Sequence, residues 1–269
     1  MDPAISLLIS TYNWKEALRL VLKCVLSQTI LPSEVLIADD GSSEDTRLMI
    51  EEIQKNFPIP IIHVWQEDKG FRVSRIRNKA IARATGNYII QIDGDILMNH
   101  YFISDHLELA EEGYFVCGSR VLLSLQETDC LIKGQKEPMS LSSITPNGLR
   151  VRFLRHLLAN YYDRNYLHSR GCNMAFWRKD FIAVNGYDET FKGWGYEDSE
   201  LAFRLITSGV KKKFLKMGGV AFHMHHRKVS REGEVERMKA LQRSVASGSC
   251  WATDGLEKIY SKKEEEMPD

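Results

Sequence analysis

The sequence lacks a long apolar run, an excess of charge of either sign, and any close pair of cysteines. Its 36 Lys and Arg balance 36 Asp and Glu, so no global charge favours nucleic acid or an anionic membrane as a partner. The longest apolar runs are far too short to span a membrane, and no basic region followed by an apolar core opens the chain. The five scattered cysteines include no Cys-x-x-Cys pair, which favours reduced thiols. We expect a cytoplasmic protein, and peripheral contact with the inner membrane face stays open.

The first 120 residues alternate short β-rich runs with helix-patterned segments. A chain of 269 residues can form one large domain or two small ones, and this alternation predicts an α/β fold with a mostly parallel sheet and helices on both faces. The predicted strands are Ala4–Ile9, Glu34–Ala38, Pro60–Trp65, Ile89–Ile92 and Tyr114–Cys117. Ser42 or Ser43 is expected to cap a helix, and a later helix over Arg72–Ala84 is expected to end with Gly86 as its C′ residue.

Beyond residue 120 the pattern changes. Leu122 to Gly148 is polar and irregular, and a long segment of that kind is usually functional or mobile, so it is a candidate lid or acceptor loop. A second block with helix and strand signals runs from Leu149 to His226. From Val229 onward we predict helix, followed by a solvated charged tail. The chain therefore divides into 1–120, 121–226 and 227–269, without an internal repeat.

Polar residues follow three of the predicted strands, where each strand ends. They are Ser10-Thr11-Tyr12, Asp39-Asp40 and Asp93-Gly94-Asp95. Ligands of parallel sheets bind beyond the carboxyl ends of the strands, so these clusters should converge on one edge. Asp93 and Asp95 offer hard oxygen ligands for Mg²⁺ or Mn²⁺, although Asp-Gly-Asp is also ordinary turn chemistry. One aspartate of the Asp39-Asp40 pair could accept hydrogen bonds from a base or a ribose, and Tyr12 could pack on the base.

Two later segments also carry candidate site residues. His223 and His226 flank the end of a predicted strand with His-x-x-His spacing that suits a metal or phosphate; His223 is favoured, and His226 is second. Glu197-Asp198 opens a predicted helix, where the helix dipole alone would favour carboxylates. The helix dipole does not explain the Gly193-Trp194-Gly195 segment that precedes this pair. A Trp face can stack on a sugar, and the two glycines would leave room for an acceptor. A neighbouring carboxylate could then act as general base.

A basic run lies in the predicted helix after Gly70. Its members are Arg72, Arg75, Arg77, Lys79 and Arg83. Guanidinium groups match phosphate oxygens in geometry, but a run this basic is more often a solvated helix face. We therefore expect one or two of these side chains to meet a ligand.

Taken together, the ordered motifs resemble those of inverting GT-A glycosyltransferases. The first half is similar to family 2 glycosyltransferases, and the second half to the C-terminal region of β1,4-galactosyltransferases and of chondroitin polymerase modules. The residues that carry the resemblance are Leu7–Asn13, Glu34–Ser42, Arg77-Asn78, Asp93–Asp95, Arg170–Phe176, Asn185–Glu189, Gly193–Asp198 and His223. The animal galactosyltransferases have a membrane anchor and a Met-x-x-His ligand pair, whereas this chain has His-x-x-His.

The resemblance implies a Rossmann-like GT-A fold that binds a nucleotide-sugar with residues 1–120 and an acceptor with residues 121–226, with 227–269 as a helical extension. The implied donor-binding residues are Ser10, Thr11, Tyr12, Asp40, Asp39, Arg77 and Asp93. The implied metal ligands for Mn²⁺ or Mg²⁺ are Asp95, with Asp93 near it, and His223; His226 is the further candidate that the His-x-x-His spacing offers. The implied catalytic base is Asp198, and the implied acceptor-site residues are Glu197, Trp194, Gly193, Gly195 and Asn173.

The predicted activity is therefore inverting transfer of a sugar, with galactose or N-acetylgalactosamine favoured, from a UDP-sugar to an oligosaccharide, polysaccharide or lipid-linked acceptor. Bacterial surface polysaccharide or glycolipid synthesis is the expected setting. A nucleotidyltransferase is the main rival enzyme, although Ser10-Thr11-Tyr12-Asn13 is not the Gly-rich basic loop that such an enzyme normally has. The same residues would also suit a non-catalytic nucleotide-sugar-binding module or a donor-hydrolysing enzyme.

Overall fold

A computed structural model describes residues 3–159, 165–227 and 231–265, with side chains as far as 261. Its strands are, in chain order, β1 Ile5–Thr11, β2 Glu34–Asp39, β3 Ile61–Trp65, β4 Tyr88–Asp93, β5 Ile96–Met98, β6 Tyr114–Gly118, β7 Val121–Leu122, β8 Asn173–Trp177, β9 Lys211–Leu215 and β10 Ala221–His223. Its α-helices are α1 Lys15–Leu26, α2 Glu44–Gln54, α3 Val73–Ile81, α4 Phe102–Leu109, α5 Leu125–Ile132, α6 Arg152–Ala159, α7 Arg178–Ala183, α8 Glu197–Thr207, α9 Glu234–Ser247 and α10 Glu257–Glu265. All five predicted strands are present within about two residues of their expected bounds.

The central sheet of the described chain has the order β3-β2-β1-β4-β8-β6-β9. Strands β1 to β4 pair in parallel, and β8 enters antiparallel between β4 and β6. The predicted mostly parallel sheet is therefore confirmed. Residues of β1 and β2 are almost all buried because helices cover both faces, which explains why these strands read as continuous apolar runs rather than alternating ones.

Two apolar layers cover the two faces of this sheet. One contains α1 and α4 residues such as Leu18, Val21 and Phe102. The other contains α3 and α8 residues such as Ile76 and Leu201. Helices on both faces were expected from the alternation of strands and helices, and the structure confirms them.

The strand register brings the predicted polar clusters to one edge. Ser10 of β1 lies beside Asp93 of β4, and Thr11 lies beside Asp39 of β2. On the other side of β4, Ile92 pairs with Asn173 at the start of β8, so the segment that precedes β8 reaches the same edge. The sheet thus joins the two parts of the sequence where the polar residues are.

A small second sheet has the order β5-β10-β7. It pairs His223 with Ile96, and the amide of Met224 donates to the carbonyl of Asp95 at 3.0 Å. This sheet therefore carries His223 back to the Asp93–Asp95 turn from a position more than a hundred residues away.

Two local predictions were wrong. The segment from Leu122 to Gly148 is not irregular throughout, since it contains α5, which opens with a capping box between Ser124 and Glu127. The Ser-x-x-Glu spacing was the signal that the polar composition obscured. Gly86 does not end α3, which stops at Ile81; Gly86 instead lies so close to Ser6 that a Cβ would meet its backbone nitrogen at 2.7 Å.

The C-terminal part is helical, but with different bounds from those expected. Helix α9 begins at Glu234, while residues 228–230, where the prediction placed its start, lie outside the described residues. Helix α10 continues to Glu265, so the backbone of the expected tail is helical there. Within the described chain, no helix is both long and apolar enough to cross a membrane.

The capping box predicts the effect of Ser124→Ala. The hydroxyl of Ser124 accepts from the amide of Glu127 at 3.2 Å, so its removal leaves an unpaired amide at the start of α5. We expect a loss of about 1 kcal/mol in the free energy of unfolding, measured by urea denaturation. Ser43→Ala is the comparison variant: the hydroxyl of Ser43, at the N-cap position of α2, donates to Asn13 and Asp45 at the surface but accepts from no helix amide, so its removal leaves no amide unpaired and should cost less. Equal losses for the two variants would contradict this.

Candidate active site

Asp39 and Asp40 lie at the end of β2, and both carboxylates are occupied by contacts within the protein. Asp39 is buried, accepts from the amide of Ser42 at 2.8 Å and contacts His63 at 2.9 Å, so it shapes the turn and does not face a ligand. Asp40 accepts from Gln66 at 2.6 Å and from the amide of Arg72 at 2.7 Å. Burial raises the pKa of Asp40. The expectation of a donor contact for Asp39 is therefore corrected, while Asp40 stays beside the loop before α3.

The last two residues of β1 and the first residue after it differ in their surroundings. Ser10 accepts from the guanidinium of Arg77 at 2.9 Å, and Thr11 is buried. Tyr12 is half exposed, and its hydroxyl donates to Asp68 at 2.8 Å. Of the three side chains, the ring of Tyr12 is the one with a free face on which a planar base could stack.

Arg77 joins the two carboxylate clusters that the sequence predicted. Its side chain is 3% exposed; Nε donates to Ser10 Oγ at 2.9 Å, Nη2 to Asp93 Oδ1 at 3.0 Å and Nη1 to Asp198 Oδ1 at 2.9 Å. We call these three contacts the Arg77 bridge. Such a buried guanidinium, each of whose three nitrogens donates to an acceptor, fixes the orientation of both carboxylates, because its donors form a rigid planar fork. Arg77 was expected near the nucleotide, but its donors point at protein groups.

Asp198 is held by donors on both oxygens. Besides Arg77, Oδ1 accepts from the hydroxyl of Tyr187 at 3.0 Å, and Oδ2 accepts from the amide of Gly171 at 2.7 Å. A Cβ on Gly171 would lie 2.3 Å from Asp198 Oδ1, so only glycine permits this approach. The side chain is still 18% exposed, and Oδ2 keeps a lone pair for an incoming proton.

Glu197 differs from its neighbour in burial and in partners. Its carboxylate accepts from the amide of Gly195 at 2.9 Å, within the loop that leads into α8. Burial, and then the like charge of Asp198, raise the pKa of Glu197 to about 7. Two adjacent carboxylates at one helix start thus have different environments, which is the usual condition for different roles.

The glycines around Trp194 are needed by the backbone. Gly193 and Gly195 have φ of 85° and 108°, and Tyr196 follows at 74°, so the loop runs through left-handed conformations. A Cβ on Gly195 would meet nothing within 4 Å, in keeping with the room expected for an acceptor. At Gly193 that room is filled by the guanidinium of Arg237, which a Cβ would approach to 2.6 Å. The Trp194 side chain is 41% exposed and can serve as a stacking platform.

Asp95, His223 and His226 form a candidate metal centre. In the described part of the chain, each offers one ligand atom, and these atoms lie within 4.8 Å of one another. Both imidazole Nε2 atoms approach Asp95 Oδ2, His223 to 3.5 Å and His226 to 3.4 Å. The Nδ1 atom of His226 lies 2.7 Å from the carbonyl of Arg227, a contact that leaves its Nε2 available as a ligand.

The donor set fits a divalent cation. Asp95 Oδ1 is buried and has no hydrogen-bond partner among the residues that the structure describes. Because buried oxygens normally have a partner, this atom fits the role of a metal ligand. Burial, together with the charge of Asp93, raises the pKa of Asp95 to about 8. Burial and the nearby charge of Arg120 lower the pKa of His223 to about 4, so this imidazole is neutral at physiological pH, as a metal ligand must be.

Asn173 does not line the site, contrary to the expectation. Its side chain is fully buried and donates to the carbonyls of Ser119 at 2.8 Å and Gly219 at 3.1 Å. Its amide oxygen contacts His106 at 2.8 Å. The nitrogen and the oxygen of its amide both bond to protein groups around β8, and the buried side chain cannot contact an acceptor.

Sequence reasoning missed three residues that surround the carboxylates. Tyr187 is buried and donates to Asp198, and Gly171 supplies an amide to the same group. Gly171 lies in the Arg170–Phe176 motif and Tyr187 in the Asn185–Glu189 motif, but the resemblance implied no role for either residue. Arg120 donates to Cys172 Sγ at 3.0 Å and lies near Asp93 and Asp95. It follows the predicted strand Tyr114–Cys117, but it belongs to none of the motifs there, so only its place after a strand end could have pointed to it.

Two family models match the chain. The model described as Glycosyl transferase family 2 matches residues 6–184, and the model described as N-terminal domain of galactosyltransferase matches residues 152–228. The first includes the polar strand ends and the Asp93–Asp95 turn, while the second includes Trp194, Asp198 and His223. The resemblance stated from the motifs is confirmed, and the nucleotidyltransferase alternative loses its support.

Curated relatives align over most of this chain. They include chondroitin synthase of Escherichia coli, 27% identical over 254 residues, and hyaluronan synthase of Pasteurella multocida, 26% identical over 254 residues. Validoxylamine A glucosyltransferase of Streptomyces hygroscopicus subsp. limoneus is 29% identical over 226 residues. These alignments cover 87%, 87% and 77% of this chain but 36%, 25% and 49% of the relatives. The chain thus spans between a quarter and a half of their length.

Solved structures share the fold at low sequence identity. Mannosyltransferase PcManGT from Pyrobaculum calidifontis, in complex with GDP-Man and Mn²⁺, has a TM-score of 0.64 at 18% identity over 92% of this chain and 64% of that one. S. aureus TarS 1-349, in complex with UDP-GlcNAc, has a TM-score of 0.63 at 14% identity over 90% of this chain and 66% of that one. These likenesses confirm the expected GT-A fold.

The pKa of Asp95 predicts how metal affinity depends on pH. Below about pH 8 a cation must displace the proton of Asp95, so Mn²⁺ affinity should rise by up to about tenfold per pH unit between about pH 6 and 8 and then level off. Isothermal titration calorimetry in two buffers of different ionisation enthalpy would measure both the affinity and the proton released.

Asp95→Asn should weaken binding and reduce its pH dependence, because an amide has no proton to lose, whereas the two imidazoles must still be neutral to bind the ion. Asp254→Asn, outside the cluster, is the control. A wild-type affinity that is the same at about pH 6 and pH 8 would contradict a raised pKa for Asp95.

Proposed function

The chain belongs to glycosyltransferase family 2, and from this premise we propose that it transfers a sugar from a UDP-sugar to a saccharide hydroxyl with inversion at the anomeric carbon, in a metal-dependent reaction. The observation that carries the proposal is the Arg77 bridge. It ties Asp93, on the side of the candidate metal centre, to Asp198, on the side of the exposed Trp194. Sugar transfer needs one group beside the leaving diphosphate and another beside the attacking hydroxyl, and the two must be held at a fixed separation.

On the donor side, the residues of the first family match would hold the nucleotide. Tyr12 would stack on the uracil, with Asp40 and Ser10 nearby, and Asp93 would face the ribose or the phosphates. Asp95, His223 and His226 would hold a Mn²⁺ or Mg²⁺ ion, which supplies neutralising charge for a departing diphosphate. The unpaired Asp95 Oδ1 and the Mn²⁺ in the complex of the mannosyltransferase PcManGT support this part of the proposal.

On the acceptor side, Trp194 would stack on the acceptor sugar and Asp198 would take the proton of the attacking hydroxyl. The three donors to Asp198 leave a lone pair on Oδ2 for that proton, and they hold the carboxylate in one orientation during attack. Glu197 would shape the acceptor site from its buried position beside Gly195. Attack from the face opposite the diphosphate would give a β-glycoside from an α-linked donor.

Galactose or N-acetylgalactosamine is the sugar that we propose for the donor, and a growing saccharide chain or a lipid-linked saccharide is the acceptor. The support for this choice is the match to the galactosyltransferase model over residues 152–228 and the likeness to two polysaccharide synthases. A role in bacterial surface polysaccharide or glycolipid synthesis follows from the same likeness. A panel of UDP-sugars, scored for thermal stabilisation in the presence of Mn²⁺, would test the choice of donor.

The assignment of the base predicts different effects for two neighbouring variants. Asp198→Asn should lower kcat by about 100- to 10,000-fold, because the acceptor of the hydroxyl proton is lost, and should leave UDP affinity with Mn²⁺ nearly unchanged. Glu197→Gln should act mainly on the acceptor KM. Steady-state transfer rates and UDP titrations measure both.

Asp254→Asn serves as the control for these rates, since it replaces a partly exposed aspartate that pairs with Lys258 away from the site. A fully active Asp198→Asn variant would exclude Asp198 as the base. If Glu197→Gln, rather than Asp198→Asn, removed transfer and the rate of the wild type followed an ionisation near its pKa of about 7, Glu197 would be the base instead.

A further inference from the structure

Helix α6 has its apolar side chains on the outside. In an α-helix residues four positions apart lie on one face, so Phe153 and Leu157 share a face. Arg155 and Ala159, each two positions further along, lie on the opposite side. The structure exposes Phe153 by 74% and Leu157 by 53%, with Leu154 beside them also exposed, and it buries Arg155 and Ala159. This is the reverse of an ordinary surface helix, whose apolar face packs on the core.

A cluster of ion pairs prevents α6 from turning its apolar side inward. The guanidinium of Arg155 pairs with the buried carboxylate of Asp105, and with Glu108 at 3.1 Å. Asp105 also accepts from Arg150 at 3.0 Å. A rotation of α6 that buried Phe153 would pull Arg155 away from Asp105, and breaking a buried ion pair is strongly destabilising. The outward direction of the apolar side chains is therefore built into the fold.

Further exposed apolar side chains precede α6 in the chain. They are Ile144, Leu149 and Val151. Single exposed apolar residues are ordinary on a protein surface, whereas several in one short segment mark a surface that meets a partner. We call Phe153, Leu154 and Leu157 the α6 apolar face.

The segment that carries this face is basic. Residues 138–162 contain no Asp or Glu, although acidic and basic residues are equal in number over the whole chain. Arg152 and His156 form the row next to the α6 apolar face, and both side chains are exposed. Among the described residues, the carboxylates that pair with the three arginines of this segment are those of Asp105 and Glu108. Three cations against two anions leave an excess of positive charge beside the apolar face.

The size of the α6 apolar face decides between a protein partner and a lipid surface. A helix of eight residues is about 12 Å long and about 10 Å wide, so its outward face offers an area on the order of 100 Å². A stable protein interface buries about 800 Å² on each partner. A helix at a bilayer surface needs only an apolar face, with cations beside it for anionic headgroups. Helix α6 has both.

We propose that α6 docks the protein on an anionic lipid bilayer, with the α6 apolar face at the boundary between headgroups and acyl chains and Arg152 beside the lipid phosphates. The inference goes beyond the proposed function, since none of these residues is assigned to the donor, the metal or the acceptor. It adds a location to that function, because a lipid-linked saccharide acceptor would be met at the same surface.

Flotation of the protein with vesicles of two compositions tests the inference. One set is phosphatidylcholine alone, and the other is phosphatidylcholine and phosphatidylglycerol at about two to one. The wild-type protein should partition about fivefold or more in favour of the anionic vesicles, and added salt should reduce this preference. Phe153→Ser and Leu157→Ser should each weaken partitioning on the order of tenfold, because an apolar side chain no longer leaves water. Arg152→Gln should reduce the preference for anionic vesicles and change binding to neutral ones little.

Leu48→Ser is the matched control. Leu48 lies on α2 and is exposed to nearly the same extent as Leu157, so its replacement should leave partitioning at the wild-type level. Thermal melting and UDP titration with Mn²⁺ show whether each variant keeps its fold and its donor site. If one of the two substitutions on α6 prevents folding, the other one and the wild-type comparison of the two vesicles still decide the matter.

A wild-type protein that floats with neither set of vesicles would overturn the inference, as would folded Phe153→Ser and Leu157→Ser variants that float as strongly as the wild type. It would also be overturned if light scattering showed a wild-type dimer that these two substitutions convert to a monomer, because the face would then join two copies of the chain. Failure of the proposed function looks different: the protein would bind no UDP or UDP-sugar with Mn²⁺, whatever its partitioning into vesicles.

Discussion

The three contacts of Arg77 are the interaction on which the arrangement of the site depends. A buried guanidinium is stable only where its donors are paired, and its acceptors are Ser10, Asp93 and Asp198. Each acceptor comes from a different part of the chain, near the end of β1, at the end of β4 and at the start of α8. The Arg77 side chain therefore sets the separation and the orientation of two carboxylates. In the proposed reaction one of them, Asp93, faces the donor and the other, Asp198, faces the acceptor. Without the Arg77 side chain, two like charges would face each other across a partly dry cleft.

The sheet makes this meeting possible. Because β8 is inserted antiparallel beside β4, the chain that precedes β8 arrives at the same edge as the Asp93–Asp95 turn, and its Gly171 amide contacts Asp198. The small sheet brings His223 to the same edge, because it pairs His223 with Ile96 next to the Asp93–Asp95 turn. A basic cavity lies beside this edge, where Arg72 and Trp194 contribute to its lining.

The sequence was sufficient to predict the parallel strands and the edge where their polar ends meet, since buried apolar runs that end in Asp or Ser leave few alternatives. It could not predict the role of Arg77, because a basic run on an amphipathic segment has the same pattern whether it faces solvent or a buried carboxylate. Asn173 was misassigned for a related reason: a motif gives a position in the chain but not the direction of a side chain. Arg237 escaped notice because only packing against Gly193 and the carbonyl of Glu232 shows that it is buried.

The rate of sugar transfer by Arg77→Gln is the most direct test that one guanidinium unites the two halves of the site. Transfer should fall by about 100-fold or more in folded protein, since misplacement of a reacting group by about 1 Å has that effect. Arg77→Lys should recover little, because an ammonium cannot make the three contacts. Arg75→Gln, on the same helix but more exposed, should keep nearly the wild-type rate. A folded Arg77→Gln variant that transfers sugar at the wild-type rate would contradict the account.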